Sequence, residues 1–355
     1  MATHYIITNR PVRVKNGTEQ IDESNQAATT YNLRFGTAEI VKGRDGKPKA
    51  KVELIPDVPV KDNQFKEVSY ENLETKANLS GSAEWFKSLY DDMTDGKKNN
   101  DTLFFIHGFN CGYQCLIENL IDLDRLFVKN RANPIARIVA FSWPSNNMLT
   151  EYRKDQADAG YAGIALARGY HKLLKFFSEF VQGEHCENNI HVLCHSMGNQ
   201  VFERMVKEIL NSHIPAAPIF KQVVLAAPDI DNDALEPGKP LYHITDFCDR
   251  VHIYFHKSDD ALKISDKTKN KTNRLGLTGP TRPLELRMNV NVVEASEIKD
   301  SQGIKEKLIN HWYYKNSETV AHDIRQVFSG IHTEHIKGRE YLQHKNIFRL
   351  TGKAR

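Results

Sequence analysis

No stretch of this sequence approaches the run of about 20 apolar residues needed to cross a bilayer. With a mean hydropathy of −0.53, a soluble protein is expected. The opening residues, Met1 to Arg10, hold only a short apolar patch around Tyr5-Ile6-Ile7, well below the h-region of about 7–15 residues that a secretory signal carries. No export signal is read, and a cytoplasmic location is expected. Charge of one sign is also scarce. Lys+Arg 48 against Asp+Glu 45 leaves a net charge of +3, too weak a field to gather nucleic acid or anionic lipid. Neither is expected as a partner. Cysteine is sparse and odd in number, at Cys111, Cys115, Cys186, Cys194 and Cys248, which predicts reduced thiols and no disulfide framework. Cys111 and Cys115 have no second pair nearby to complete a metal site. No metal or organic cofactor is expected, and oligomeric state leaves no mark in the sequence.

What the sequence does have is length and pattern. A chain of 355 residues can bury a sizeable core, and the prior of about 150 residues per domain suggests about two domains. Between Leu103 and Phe328, short apolar runs alternate with helical periods. The runs are Leu103–His107, Arg137–Trp143, Ile190–Cys194, Gln222–Ala226, Val251–Phe255 and Val290–Val293. The helical patterns span Gln114–Val128, Tyr161–Val181, Asn199–Leu210 and Ser317–Phe328. That alternation predicts a mostly parallel central sheet with helices on both faces. Residues 1–96 carry turn signals at Asn16-Gly17, Gly43-Arg44-Asp45-Gly46 and Pro56-Asp57-Val58-Pro59, and read as a strand-rich N-terminal extension packed on the sheet. Residues 97–330 read as one catalytic unit. Residues 331–355, with His332, His335 and His344 among Lys and Arg, read as a polar, solvated C-terminal arm, and Lys267–Lys271 as an exposed basic loop.

One strand-to-helix junction carries chemistry. The run Ile190-His191-Val192-Leu193-Cys194-His195 passes into Ser196-Met197-Gly198 and then into a helix bearing Val201, Met205 and Ile209. A nucleophile elbow requires this context, because a sharp turn lifts the Ser Oγ off the sheet and leaves room only for small neighbours. Gly198 meets that need, while Cys194 stands where the usual pattern has Gly. The chain order Ser, acid, His then places the acid after a later strand. Asp259 is the first choice and Asp260 the second, with Asp229 or Asp231 one strand earlier as rivals. The base should lie ahead of the last helix, at His311, with His322 as the alternative. Two backbone N–H groups are needed for an oxyanion, and Met197 and Phe109, beside His107-Gly108, are placed to supply them.

Taken together, Phe105-Ile106-His107-Gly108-Phe109-Asn110, Phe141-Ser142-Trp143-Pro144, Cys194-His195-Ser196-Met197-Gly198, Ala227-Pro228-Asp229-Ile230-Asp231, Asp259-Asp260-Ala261-Leu262 and His311-Trp312-Tyr313-Tyr314 resemble the bacterial α/β-hydrolases grouped as domain of unknown function 900. Thr8-Asn9-Arg10 and Phe35-Gly36 are similar to that group's opening strands, so the likeness runs from Tyr5 to Phe328. It implies an α/β-hydrolase fold with Ser196 as nucleophile, His311 as base and Asp259 as acid. The function expected is that of a serine hydrolase, a carboxylesterase for small or medium acyl esters, with Phe109, Trp143 and Tyr152 walling an open site. The same parts would serve a thioester or amide. The alternative is a hydrolase fold that binds or scaffolds without turnover.

Overall fold

The computed structural model describes residues 3–16, 18–22, 30, 32–55, 81–96, 99–130, 133–146, 151–178, 186–212, 215–269, 272–301 and 310–351. The expected turn at Pro56–Pro59, together with Gly17, Val181 and Asn270-Lys271, lies outside them. The chain begins with β1 (Thr3–Thr8), β2 (Val12–Lys15), β3 (Thr18–Ile21), β4 (Arg34–Lys42), β5 (Pro48–Leu54) and α1 (Gly81–Met93). It continues through β6 (Asp101–Ile106), α2 (Tyr113–Leu123), β7 (Ile135–Ser142), α3 (Tyr152–Phe176), β8 (Ile190–His195), α4 (Gly198–Asn211) and β9 (Phe220–Ala226). Then come β10 (Cys248–Phe255), α5 (Asp260–Lys269), α6 (Leu275–Thr278), β11 (Val290–Glu294), α7 (Tyr313–Asn316), α8 (Glu318–Phe328), β12 (Arg339–Leu342) and β13 (Ile347–Leu350).

Eleven strands form one sheet in the order β12-β13-β11-β10-β9-β8-β6-β7-β1-β4-β5, and β2 pairs with β3 in a hairpin. Every neighbouring pair from β13 across to β1 is parallel, and the antiparallel pairs, β12 with β13, β1 with β4 and β4 with β5, lie at the two edges. Strands covered on both faces must be apolar throughout, and β6 to β10 alternate their side chains between two separate cores. Ile106, Val192, Val223 and Ile253 enter one with α1, α3 and α4, while Leu103, Leu193, Val224 and Tyr254 enter the other with α2 and α8.

Strand order fixes where a site can form. The chain leaves β6 for β7 on one side, and β8 returns to the other side of β6. The segments leaving β6 and β8 therefore diverge to opposite faces, α2 into one core and α4 into the other. Such a switch opens a crevice at the C-terminal ends of the two strands. Ser196 follows β8 and His107 follows β6, so both stand at that crevice.

Some expectations need correction. The C-terminal segment is no solvated arm: β13 pairs with β11, β12 pairs with β13, and Ile336, Ile347 and Leu350 are buried. The edge of β11 accepts one more strand, and a four-residue run among Lys and Arg is too short to stand out in hydropathy. The helix α3 starts well ahead of Tyr161, because its inner face buries Asp155 and Asp158 and so hides its period. Regular helix in α2 ends at Leu123 and passes into a π-helical turn over Asp124–Val128. At α8, Ser317 Oγ accepts the Val320 N–H at 3.2 Å, a side-chain N-cap.

Candidate active site

The turn after β8 is held in a conformation that most side chains avoid. Ser196 has φ 52°, a left-handed backbone that costs a non-glycine residue about 1–2 kcal/mol. Its carbonyl is fixed by three donors: Asn199 N at 3.1 Å, Asn199 Nδ2 at 2.9 Å and Asp229 N at 3.2 Å. Its own N–H donates to Ala226 O at 3.0 Å. Small neighbours are obligatory here. A Cβ on Gly198 would stand 2.6 Å from His107 O and Ile106 O, and one on Gly108 would stand 2.7 Å from Ser196 Cβ. The elbow and the loop after β6 therefore interlock through two glycines. Cys194, where a glycine was usual, fits because it is wholly buried under the turn, and burial pushes its thiol pKa well up.

His311 and Asp259 are brought together. His311 Nδ1 lies 2.8 Å from Asp259 Oδ2, and both residues are buried. The other oxygen, Asp259 Oδ1, accepts the Leu262 N–H at 3.0 Å and so caps the first turn of α5. Burial alone would lower the His311 pKa. The charge and hydrogen bond of Asp259, aided by the charge of Asp229, outweigh it and leave the pKa raised above 6.5. The loop carrying His311 is pinned to the sheet: Tyr313 Oη donates to Tyr254 O at 2.7 Å and accepts the Ala227 N–H at 2.9 Å. His195, adjacent to Ser196, places its Nε2 3.1 Å from His311 O. Burial holds its pKa well below 6.5, with the charge of His311 acting the same way, so it stays neutral and can donate from Nε2 to that carbonyl. Sequence reasoning gave His195 no role, although its place directly before the Ser was a usable signal.

The other candidates fall elsewhere. Asp260 is exposed at the start of α5 and pairs with Lys263. His322 is exposed on α8. Asp231 binds Arg274 Nη2 at 2.5 Å. Asp229 is buried near the elbow, but its carboxylate accepts from Tyr152 Oη at 2.7 Å and Ser265 Oγ at 3.1 Å. Burial raises its pKa against the charge of Arg274 and those two hydrogen bonds.

The loop after β6 is equally fixed. Trp143 stacks on His107 with an interplanar angle of 5°, and its Nε1 donates to His107 O at 2.9 Å. It is fully buried. Trp143 thus stands behind the site and does not wall it, because its polar edge serves the loop. Phe109 meets Tyr152 edge-on at 5.4 Å. Met197 is buried at the entrance to α4, and no acceptor among the described residues takes its N–H. The reduced-thiol expectation is corrected at Cys111 and Cys115, which form a disulfide between the end of this loop and the first turn of α2. An odd total concealed one local pair.

A solved structure of phospholipase PlaB from Legionella pneumophila, in complex with thio-NAD, is similar at 12% identity and a TM-score of 0.30, over 68% of this chain and 65% of that one. An uncharacterised protein of Nostoc sp. is 21% identical over 177 residues, which is 42% of this chain and 43% of that protein. The chain thus spans less than half of that relative's length. The family described as alpha/beta hydrolase of unknown function (DUF900) matches residues 84–328. With the greater part of its length matched, and a parallel sheet whose strand ends carry the interlocked Ser196 turn, the chain belongs to that α/β-hydrolase family.

Proposed function

We propose that this protein is a serine hydrolase, a carboxylesterase for small or medium acyl esters, working through Ser196, His311 and Asp259. The observation that carries this reading is the buried 2.8 Å contact between His311 and Asp259, set in the same cluster of strand ends as a serine at φ 52°. In the first step His311 Nε2 takes the Ser196 proton as Oγ adds to the ester carbonyl. The N–H groups of Met197 and Phe109 hold the resulting oxyanion. Collapse expels the alkoxide, which leaves with the proton from His311, and Ser196 keeps the acyl group. Water then enters, His311 removes its proton, and a second oxyanion collapses to release the carboxylic acid and return the proton to Ser196. Asp259 holds the imidazole in the tautomer with its proton on Nδ1. Such Ser–His contacts commonly tighten only with substrate bound.

The chain-length preference is supported by the connection between β9 and β10, whose helical content is a 3₁₀ segment at Pro240–Asp246. No long apolar helix in that connection covers the strand ends. Phe109 and Tyr152 remain as the aromatic side of the site. No described helix is long and apolar enough to cross a membrane. The cytoplasmic location expected from the opening residues gains no support from reduced thiols, since Cys111 and Cys115 are bonded. Hydrolysis of p-nitrophenyl acetate, butyrate, octanoate and palmitate tests the proposal. Turnover that peaks at the shorter esters and vanishes in Ser196→Ala is expected. Activity unchanged in that variant would remove Ser196 from the chemistry, and a peak at palmitate would overturn the substrate class.

A further inference from the structure

A backbone N–H can stabilise an oxyanion only if its loop does not drift, because a misplacement of about 1 Å costs on the order of 100-fold in rate. The segment from His107 to Cys111 carries the Phe109 N–H, and this inference rests on the hydrolase reading given above. One end of the segment is held by Trp143, through its indole on His107 O and its backbone N–H on His107 Nε2 at 3.1 Å. The other end is held by Arg10, a residue far away in sequence, just beyond β1. Arg10 is fully buried. Its Nη2 donates to Cys111 O at 3.0 Å, and its Nε donates to Ser142 Oγ at 2.9 Å. Ser142 ends β7 and directly precedes Trp143, so the guanidinium spans from the support of one end of the segment to the other end itself.

Arg10 is in turn placed by its surroundings. Its N–H donates to Thr8 Oγ1 at 3.0 Å, and that hydroxyl donates to Ser142 O at 2.8 Å. Asn32 Nδ2 donates to its carbonyl. Burial pushes its pKa down to about 10, which leaves it protonated at neutral pH. No described carboxylate lies within ion-pair distance of it, and Asp155, which acts on it by charge, is hydrogen-bonded to Ser145 and Asn146. A buried guanidinium without an ion pair carries a desolvation cost that hydrogen bonds to neutral groups only partly offset. The two groups it reaches, Cys111 O and Ser142 Oγ, are matched by a rigid two-pronged donor.

We propose that Arg10 is a positioning residue of the hydrolytic site: its guanidinium sets the spacing between the end of β7 and Cys111, and thereby the place of the Phe109 N–H over the reacting carbonyl. The disulfide to Cys115 and the Cys111 N–H donated to Ser145 Oγ at 3.3 Å restrain the same residue at its side chain and nitrogen. Arg10 restrains its carbonyl.

The test compares wild type with Arg10→Met, Arg10→Lys and Ser142→Ala, using p-nitrophenyl butyrate for kcat and KM and a butyl trifluoromethyl ketone for affinity. The ketone adds Ser196 Oγ at its carbonyl carbon and leaves an oxyanion where the ester would form one. In Arg10→Met, kcat should fall about 10- to 100-fold with KM within about twofold, and ketone affinity should fall in step. Arg10→Lys keeps the charge but not the fork and should stay low. Ser142→Ala removes one prong and should show a smaller loss of the same kind. Unchanged kcat and ketone affinity, with only a lower Tm, would overturn the proposal. If Arg10→Met does not fold, an unchanged Ser142→Ala does so by itself. A failure of the hydrolase reading looks different: wild type then forms no ketone adduct and matches Ser196→Ala.

Discussion

Asp259 uses its two oxygens for two purposes, one on His311 and one on the start of α5. Asp259→Asn therefore separates chemistry from folding. The amide oxygen can still cap Leu262, while the amide nitrogen facing His311 favours the wrong imidazole tautomer. We expect kcat to fall on the order of 10³- to 10⁴-fold with the melting temperature nearly kept. The pH profile gives a second signature. In the proposed mechanism the base is neutral His311, so kcat/KM is expected to fall as pH drops through its pKa. That pKa is raised above 6.5, so the acid limb of the wild type should lie above 6.5. Removing the Asp259 charge should move that limb to lower pH. Asp260→Asn touches only an exposed pair with Lys263 and should leave stability within about 0.5 kcal/mol and kcat unchanged. At this scale the sequence left Asp259 and Asp260 one register apart, and only the turn into α5 separates the buried carboxylate from the exposed one. Arg10 was not legible as a site residue, because its contacts are to backbone and side chains remote in sequence, whereas the place of His195 beside Ser196 was a signal left unused. The Cys111–Cys115 bond was missed because the chain-wide odd count outweighed a spacing of one helical turn.

Among the elements, the segments after β6 and β8 act as one unit, since Gly108 and Gly198 leave no room for a side chain between them. Gly198→Ala should destabilise by about 1–3 kcal/mol in thermal denaturation, because the atoms met are backbone carbonyls that cannot rotate away. Gly108→Ala meets Ser196 Cβ itself, so its expected effect is a loss of kcat larger than its loss of stability. Equal melting temperature and kcat in both variants and the wild type would show that the two loops do not interlock as described. The strands from β6 to β11 were legible as apolar runs because each is covered on both faces. The start of α3 was not, because buried Asp155 and Asp158 replace apolar residues on its inner face.

For the whole molecule, the sheet extends beyond the catalytic core at both edges, with β1, β4 and β5 on one side and β13 and β12 on the other. The first edge lies ahead of the family match, which begins at residue 84. The second was hidden in a basic tail, where four residues supply each strand. Leu350 is buried in β13, so Leu350→Ala should cost about 2–5 kcal/mol in denaturant unfolding while kcat per folded molecule stays constant. A loss of kcat at full folding would instead tie that edge to the site. The central claim is that Ser196 is the nucleophile of a working hydrolase, and active-site labelling with a fluorophosphonate tests it most directly. We expect one label per chain, mapped by mass to the peptide bearing Ser196, absent in Ser196→Ala and much slower in His311→Ala. No label on the wild type, or an equal label on Ser196→Ala, would contradict the claim.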